Sequence, residues 1–223
     1  MPIFKILAIL LHYPDQAVQE HGGELIEALE LDSLLEAAER AGIAAFVSRL
    51  RAADLLDAQA AYVETFDHGR ARSLHLFEHV HGESRDRGTA MIELLEVYRD
   101  AGFAIAVPEL PDYLPLFLEF LSTLAADQAL AWLGDTGHLI QMLHARLVAD
   151  DNPYSVLLAP LVRLAGLDPA DDELCARLAA EPPDDTAQAL DRAWDEAPVT
   201  FGPAAGCGRA EPSPIRWHDA ASR

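Results

Sequence analysis

Leu114-Pro115-Leu116-Phe117-Leu118-Glu119-Phe120-Leu121 is the stretch whose reading decides the fold class. Its apolar residues leave no polar face at a helical repeat. A helix of that kind belongs in the middle of a bundle or along a groove. It is preceded by Pro108-Glu109-Leu110-Pro111-Asp112, a rigid elbow, because each proline fixes its own φ and restrains the residue before it. Glu119 is the single charge of the run. A carboxylate there must be solvated, paired or protonated, since burying it alone costs several kcal/mol. The alternatives are an ion pair with Arg85 or Arg87, a place on an exposed edge, or an acid lining an apolar groove that receives a basic, amphipathic peptide.

Helical periodicity extends in both directions, with no run of strand alternation. Ile3, Phe4, Leu7, Leu10 and Leu11 predict a first helix closed by Pro14. A second covers about Ala17 to Glu30, with an interruption at Gly22-Gly23. Leu34, Leu35, Ala38, Gly42 and Phe46 mark a third, and Leu55 to Phe66 a fourth. Asp67 to Ser73 reads as a loop. The helix before the elbow has Ser84 as N-cap, Asp86 in its first turn and Gly102 as its stop, with Met91, Leu94, Leu95 and Tyr98 on one face.

After the central helix, Leu139, Ile140, Leu143 and Leu147 define one amphipathic helix, and Leu157, Leu158, Leu161 and Ala165 another. Beyond Gly166 the chain turns acidic and proline-bearing, with one more short helix to about Trp194. Prolines and glycines then break it into an irregular tail. The expectation is an all-α protein: one helical bundle over residues 1–197, the helix from Leu114 its most buried element, and a tail over 198–223 that packs little.

A chain of 223 residues with 51% apolar content can bury a core without staples. The net charge of −21 reads either as acid for solubility or as a surface suited to a basic partner, and it opposes nucleic acid and anionic lipid. Lys5 is the one lysine. No segment approaches the roughly 20 apolar residues that span a bilayer. Met1 to Leu11 is interrupted by Lys5 and has no small-residue cleavage site, so it does not read as an export signal. A cytoplasmic protein is expected.

Catalytic signals are few. His75-Leu76-Phe77-Glu78-His79 fits H-x-x-E-H, which on a helix sets two histidines one turn apart to share a zinc, with Glu78 as general base. No recognisable motif marks the further carboxylate ligand, so the pattern reads better as chance. Cys175 and Cys207 form no CxxC, and there is no nucleophile elbow or phosphate loop. Arg70, Arg72, Arg85 and Arg87 are local cations in an acidic chain, best used in internal pairing.

The two central segments resemble a known family. Tyr62-Val63-Glu64-Thr65-Phe66-Asp67 and the block from Ser73 through His79 to Gly88 are similar to the central block of the NarJ-type nitrate reductase assembly chaperones. Glu109-Leu110-Pro111-Asp112-Tyr113-Leu114-Pro115-Leu116-Phe117-Leu118-Glu119-Phe120 resembles that family's other hallmark. Leu11-His12-Tyr13-Pro14-Asp15, Asn152-Pro153-Tyr154-Ser155 and Trp194 to Phe201 agree as well, so the likeness spans roughly residues 4 to 201. His75 departs from the aromatic residue of the family pattern, which again makes H-x-x-E-H accidental.

The resemblance implies a helical bundle of the molybdoenzyme-chaperone type that is not an enzyme and carries no cofactor or metal of its own. Its partner would be the nitrate reductase catalytic (alpha) subunit, bound at a basic, amphipathic N-terminal segment. The chaperone would hold that subunit off the membrane while molybdenum cofactor and an iron–sulfur cluster are inserted, and would not join the final enzyme. Glu109, Asp112, Tyr113, Leu114, Phe117 and Glu119 are the expected client-contacting residues. A chaperone of the same fold for a different molybdoenzyme, a helical adaptor with no redox client, and a zinc hydrolase using His75, Glu78 and His79 are the alternatives. Monomer and homodimer are both compatible with the sequence.

Overall fold

Pro2 at the start of one apolar segment and Pro115 near the start of another sit where a helix needs no N–H donor, and both segments fold as helices. They are α1 (Pro2–Leu11) and α7 (Leu114–Thr123), which pack side by side at the centre of the bundle. Both are apolar nearly all round: Ile3, Phe4, Leu7 and Leu11 on α1, and Leu114, Phe117, Leu118 and Leu121 on α7, are fully or almost fully buried. The expectation that α7 would be the most buried element is therefore met only jointly, since α1 matches it.

The computed structural model describes residues 1–81, 85–105 and 108–180. Among them lie ten helices and no β-strand beyond a single antiparallel bridge between His75 and Tyr113, so the fold is all-α. The remaining helices are α2 (Gln16–Leu31), α3 (Ala37–Ala52), α4 (Leu55–Phe66), α5 (Glu78–His81), α6 (Arg85–Asp100), α8 (Ala126–Ala149), α9 (Ser155–Leu164) and α10 (Asp172–Ala179). The pairs α2 with α3, α8 with α9 and α8 with α10 form the layers around the central two. The expected helix to Trp194, the Ser84 cap, the 197/198 boundary and the tail lie outside the described residues.

Several expectations are corrected. The helix α2 is not interrupted at Gly22-Gly23. A Cβ on Gly22 would meet Arg51 Cδ at 2.6 Å and Val47 Cγ1 at 3.0 Å, so the glycine serves close packing of α2 against α3. Leu34 and Leu35 precede α3 rather than belonging to it. On α6, Leu94 and Tyr98 are buried but Leu95 is 42% exposed, a narrower apolar stripe than the sequence suggested. Gly102 adopts φ +76°, as a helix stop in the left-handed region requires.

His144 on α8 is buried, and its Nδ1 has no hydrogen-bond partner. Burial pushes its imidazole below the ordinary 6.5. The fold therefore favours the neutral ring: this contribution is fully present above pH 6.5 and is lost as pH falls through the depressed folded value. Replacing His144 with leucine should make the fold less acid-sensitive, narrowing the drop in unfolding midpoint between pH 7.5 and pH 5.5. An unchanged drop would mean that other groups carry the acid response.

Candidate functional site

The elbow before α7 is held by a buried carboxylate. Asp112 is fully buried, and its Oδ2 accepts the Phe77 N–H at 3.2 Å and lies 3.5 Å from Arg87 Nη2. Its Oδ1 faces His75 Nδ1 at 3.3 Å. Backbone bonds reinforce the join: Leu76 N–H donates to the Asp112 carbonyl at 3.0 Å, and Leu114 N–H to that of Leu74 at 2.8 Å. The Tyr98 hydroxyl, on α6, donates to the Pro111 carbonyl at 2.8 Å. The two sequence blocks that carried the resemblance thus meet at one buried cluster.

This cluster absorbs the H-x-x-E-H motif. The three residues do not share a helix, because α5 begins only at Glu78 and His75 sits in the extended bridge. His75 faces Asp112, and that hydrogen bond raises its pKa above 6.5 against the opposing effect of burial. Glu78 pairs with Arg87 Nη1 at 3.0 Å. His79 Nε2 meets the Ser73 carbonyl at 2.8 Å, and burial lowers its pKa. The helical zinc geometry imagined for His75, Glu78 and His79 is overturned by these separate commitments. Arg87 and Arg72 are internally paired, the latter with Asp150 at 2.7 Å.

Beside the elbow, between α1 and α7, lies a cleft of about 280 Å³. Its apolar surface comes from Ala8, Ile9, Val18, Pro115 and Leu116, and its carboxylates are Asp15, Glu109 and Glu119. The corner after α1 is fixed from below by α4. Tyr62 donates its one proton to the Leu11 carbonyl at 3.1 Å, which leaves Tyr113 as donor in the 3.0 Å Tyr62–Tyr113 pair. Gln59 Nε2 donates to the Pro14 carbonyl at 2.8 Å. Burial pushes the Tyr113 phenol up to about 12, so it stays a neutral donor. The His12 ring stands edge-on to Tyr113 at 5.9 Å, and the Tyr13 ring edge-on to Tyr62 at 5.5 Å.

The structure brings Glu109, Tyr113 and Glu119 together at this cleft. It does not bring Asp112, Leu114 and Phe117 there, because all three are buried in the interior. The ion pair expected between Glu119 and Arg87 is also corrected: Glu119 pairs with Lys5 of α1, and Arg87 with Glu78 and Asp112, while the Arg85 side chain lies outside what the structure describes. His12, Tyr13 and Asp15 were not among the expected site residues. Their signal was the block Leu11-His12-Tyr13-Pro14-Asp15, a proline corner that leaves an aromatic and a carboxylate exposed.

Comparison with known proteins places these features in a family. The profile described as nitrate reductase delta subunit matches residues 15–159. A nitrate reductase molybdenum cofactor assembly chaperone, NarJ of Escherichia coli, is 44% identical over 203 residues, covering 91% of this chain and 86% of that protein. A probable nitrate reductase molybdenum cofactor assembly chaperone of the same organism, NarW, is 40% identical over 201 residues, with 90% and 84% covered. A probable NarJ of Bacillus subtilis is 35% identical over 101 residues, 45% of this chain and 55% of that protein. With the profile spanning most of the chain, and the first of these relatives matched over nearly its whole length, the chain belongs to the nitrate reductase delta subunit family of NarJ-type assembly chaperones.

Proposed function

We propose that this protein is a chaperone for assembly of a respiratory nitrate reductase, acting on its catalytic subunit before that subunit reaches the membrane. It binds the basic, amphipathic N-terminal segment of the subunit and holds it while molybdenum cofactor and an iron–sulfur cluster are inserted. It is then released, and it works in the cytoplasm. The observation that carries this reading is the cleft beside the elbow, an apolar surface between Ile9 and Leu116 with carboxylates at Asp15, Glu109 and Glu119. Apolar area gives a peptide its dwell time, and the acidic rim guides and orients its cations. A cleft of this size takes an anchor side chain or two, so the rest of the segment lies across the surface around it.

Glu109, Tyr113 and Glu119 are the contact residues in this reading. Asp112, Leu114 and Phe117 act from the interior by fixing the elbow and α7. The direct experiment is co-purification of the tagged chaperone with the catalytic subunit. Retention of the full-length subunit, and its loss when the N-terminal segment is deleted, is the expected result. Equal retention of both forms would overturn the assignment of the segment.

A further inference from the structure

Lys5, Ala8, Ile9 and His12 share one face of α1 at i, i+3, i+4 and i+7. Glu119, Leu116 and Pro115 stand against them on α7, again one turn apart. Lys5 and Glu119 pair one turn beyond Ile9 and Leu116, and Glu119 itself lines the cleft, so Lys5 holds one of the cleft's carboxylates. The side chains are 50% and 39% exposed. An ion pair that open to water adds little to stability, so a staple between helices is a weak account of it. Lys5 is also the only lysine in a chain whose other cations are arginines.

We propose that Lys5 is an internal stand-in for a cation of the client: it occupies Glu119 in the free protein and is displaced when an arginine of the bound segment arrives. The proposal rests on the reading of the cleft as the client site. Lysine offers a point charge on a flexible stem, whereas arginine presents a planar fork that holds a carboxylate with two parallel hydrogen bonds. An incoming arginine can therefore outcompete Lys5 at Glu119, and the exchange leaves the carboxylate paired while the half-exposed Lys5 ammonium returns to water. Lys5 then sets affinity from below. It keeps Glu119 from engaging every passing cation, and it weakens the hold on a client that must later be released.

The test is titration calorimetry of the full chain with a synthetic peptide of the catalytic subunit's N-terminal segment. Lys5→Met keeps the stem and removes the competitor, and should tighten binding roughly threefold to tenfold. Lys5→Arg installs a stronger competitor and should weaken it. The gain in Lys5→Met should vanish in a Glu119→Gln background, and also when the peptide's arginines are replaced by glutamine. Thermal unfolding midpoints should stay within a few degrees of the parent. If the parent binds the peptide but Lys5→Met binds equally or more weakly, the stand-in role is wrong and the cleft reading survives. If the parent does not bind the peptide at all, the cleft reading itself falls.

Discussion

Replacing Asp112 with alanine should lower the free energy of unfolding by about 3–5 kcal/mol, the usual cost of removing one partner from a buried charge pair. Asp112 is fully buried, and three groups converge on its carboxylate: the Phe77 N–H, the His75 imidazole and the Arg87 guanidinium. Alanine would leave the half-buried Arg87 with Glu78 as its remaining carboxylate partner, and the buried Arg87 Nε already lacks a hydrogen-bond partner. Asp112→Asn keeps an acceptor for the Phe77 N–H and should cost less, about 1.5–3 kcal/mol. Denaturant unfolding with a fixed m-value measures both. A loss under 1 kcal/mol for the alanine variant would mean that the cluster does not hold the elbow. The site should suffer along with the fold, because the same cluster sets where Glu109 and Tyr113 stand.

Reversing charge at the rim should separate binding from folding. Glu109 is exposed and Glu119 is partly exposed, so Glu109→Lys combined with Glu119→Lys should leave the unfolding midpoint within a few degrees. Affinity for the client peptide should fall roughly tenfold to a hundredfold, because two attractions become repulsions. Most of the loss should appear in the association rate and shrink as salt rises, since screening acts over about 8 Å at physiological ionic strength. Undiminished affinity in the double variant would make the acidic rim a device for solubility alone.

Fold class was legible because its signals are local. Leu55 to Phe66 was readable at both ends, with Asp54 accepting from Leu56 and Asp57 N–H groups, and the α7 run declares burial by having no polar face. The misreadings have long-range causes. Gly22 looks like a break until Arg51 and Val47 of α3 are found against it. The first half of α8, rich in alanine, glycine and acids, shows little periodicity, yet Ala129 and Leu133 are fully buried there.

The site was half legible for the same reason. Its elbow and Glu119 stand out in the sequence, but the Lys5 partner lies 114 residues away, and the wall made by Ile9, His12 and Asp15 comes from the far end of the chain. Asp112, Leu114 and Phe117 share the hallmark block with Glu109, Tyr113 and Glu119, the residues proposed to make the contact. Adjacency in sequence cannot tell a residue that shapes a surface from one that forms it.

The claim that the cleft between α1 and α7 receives the client is tested most directly by hydrogen exchange, with and without the catalytic subunit's N-terminal peptide. The account predicts new protection concentrated in two segments, the end of α1 with the corner through Val18 and the elbow from Glu109 into the first turns of α7. Protection confined instead to the groove of Val97, Phe120, Leu124 and Trp132 between α6, α7 and α8, with the α1 corner unchanged, would contradict it.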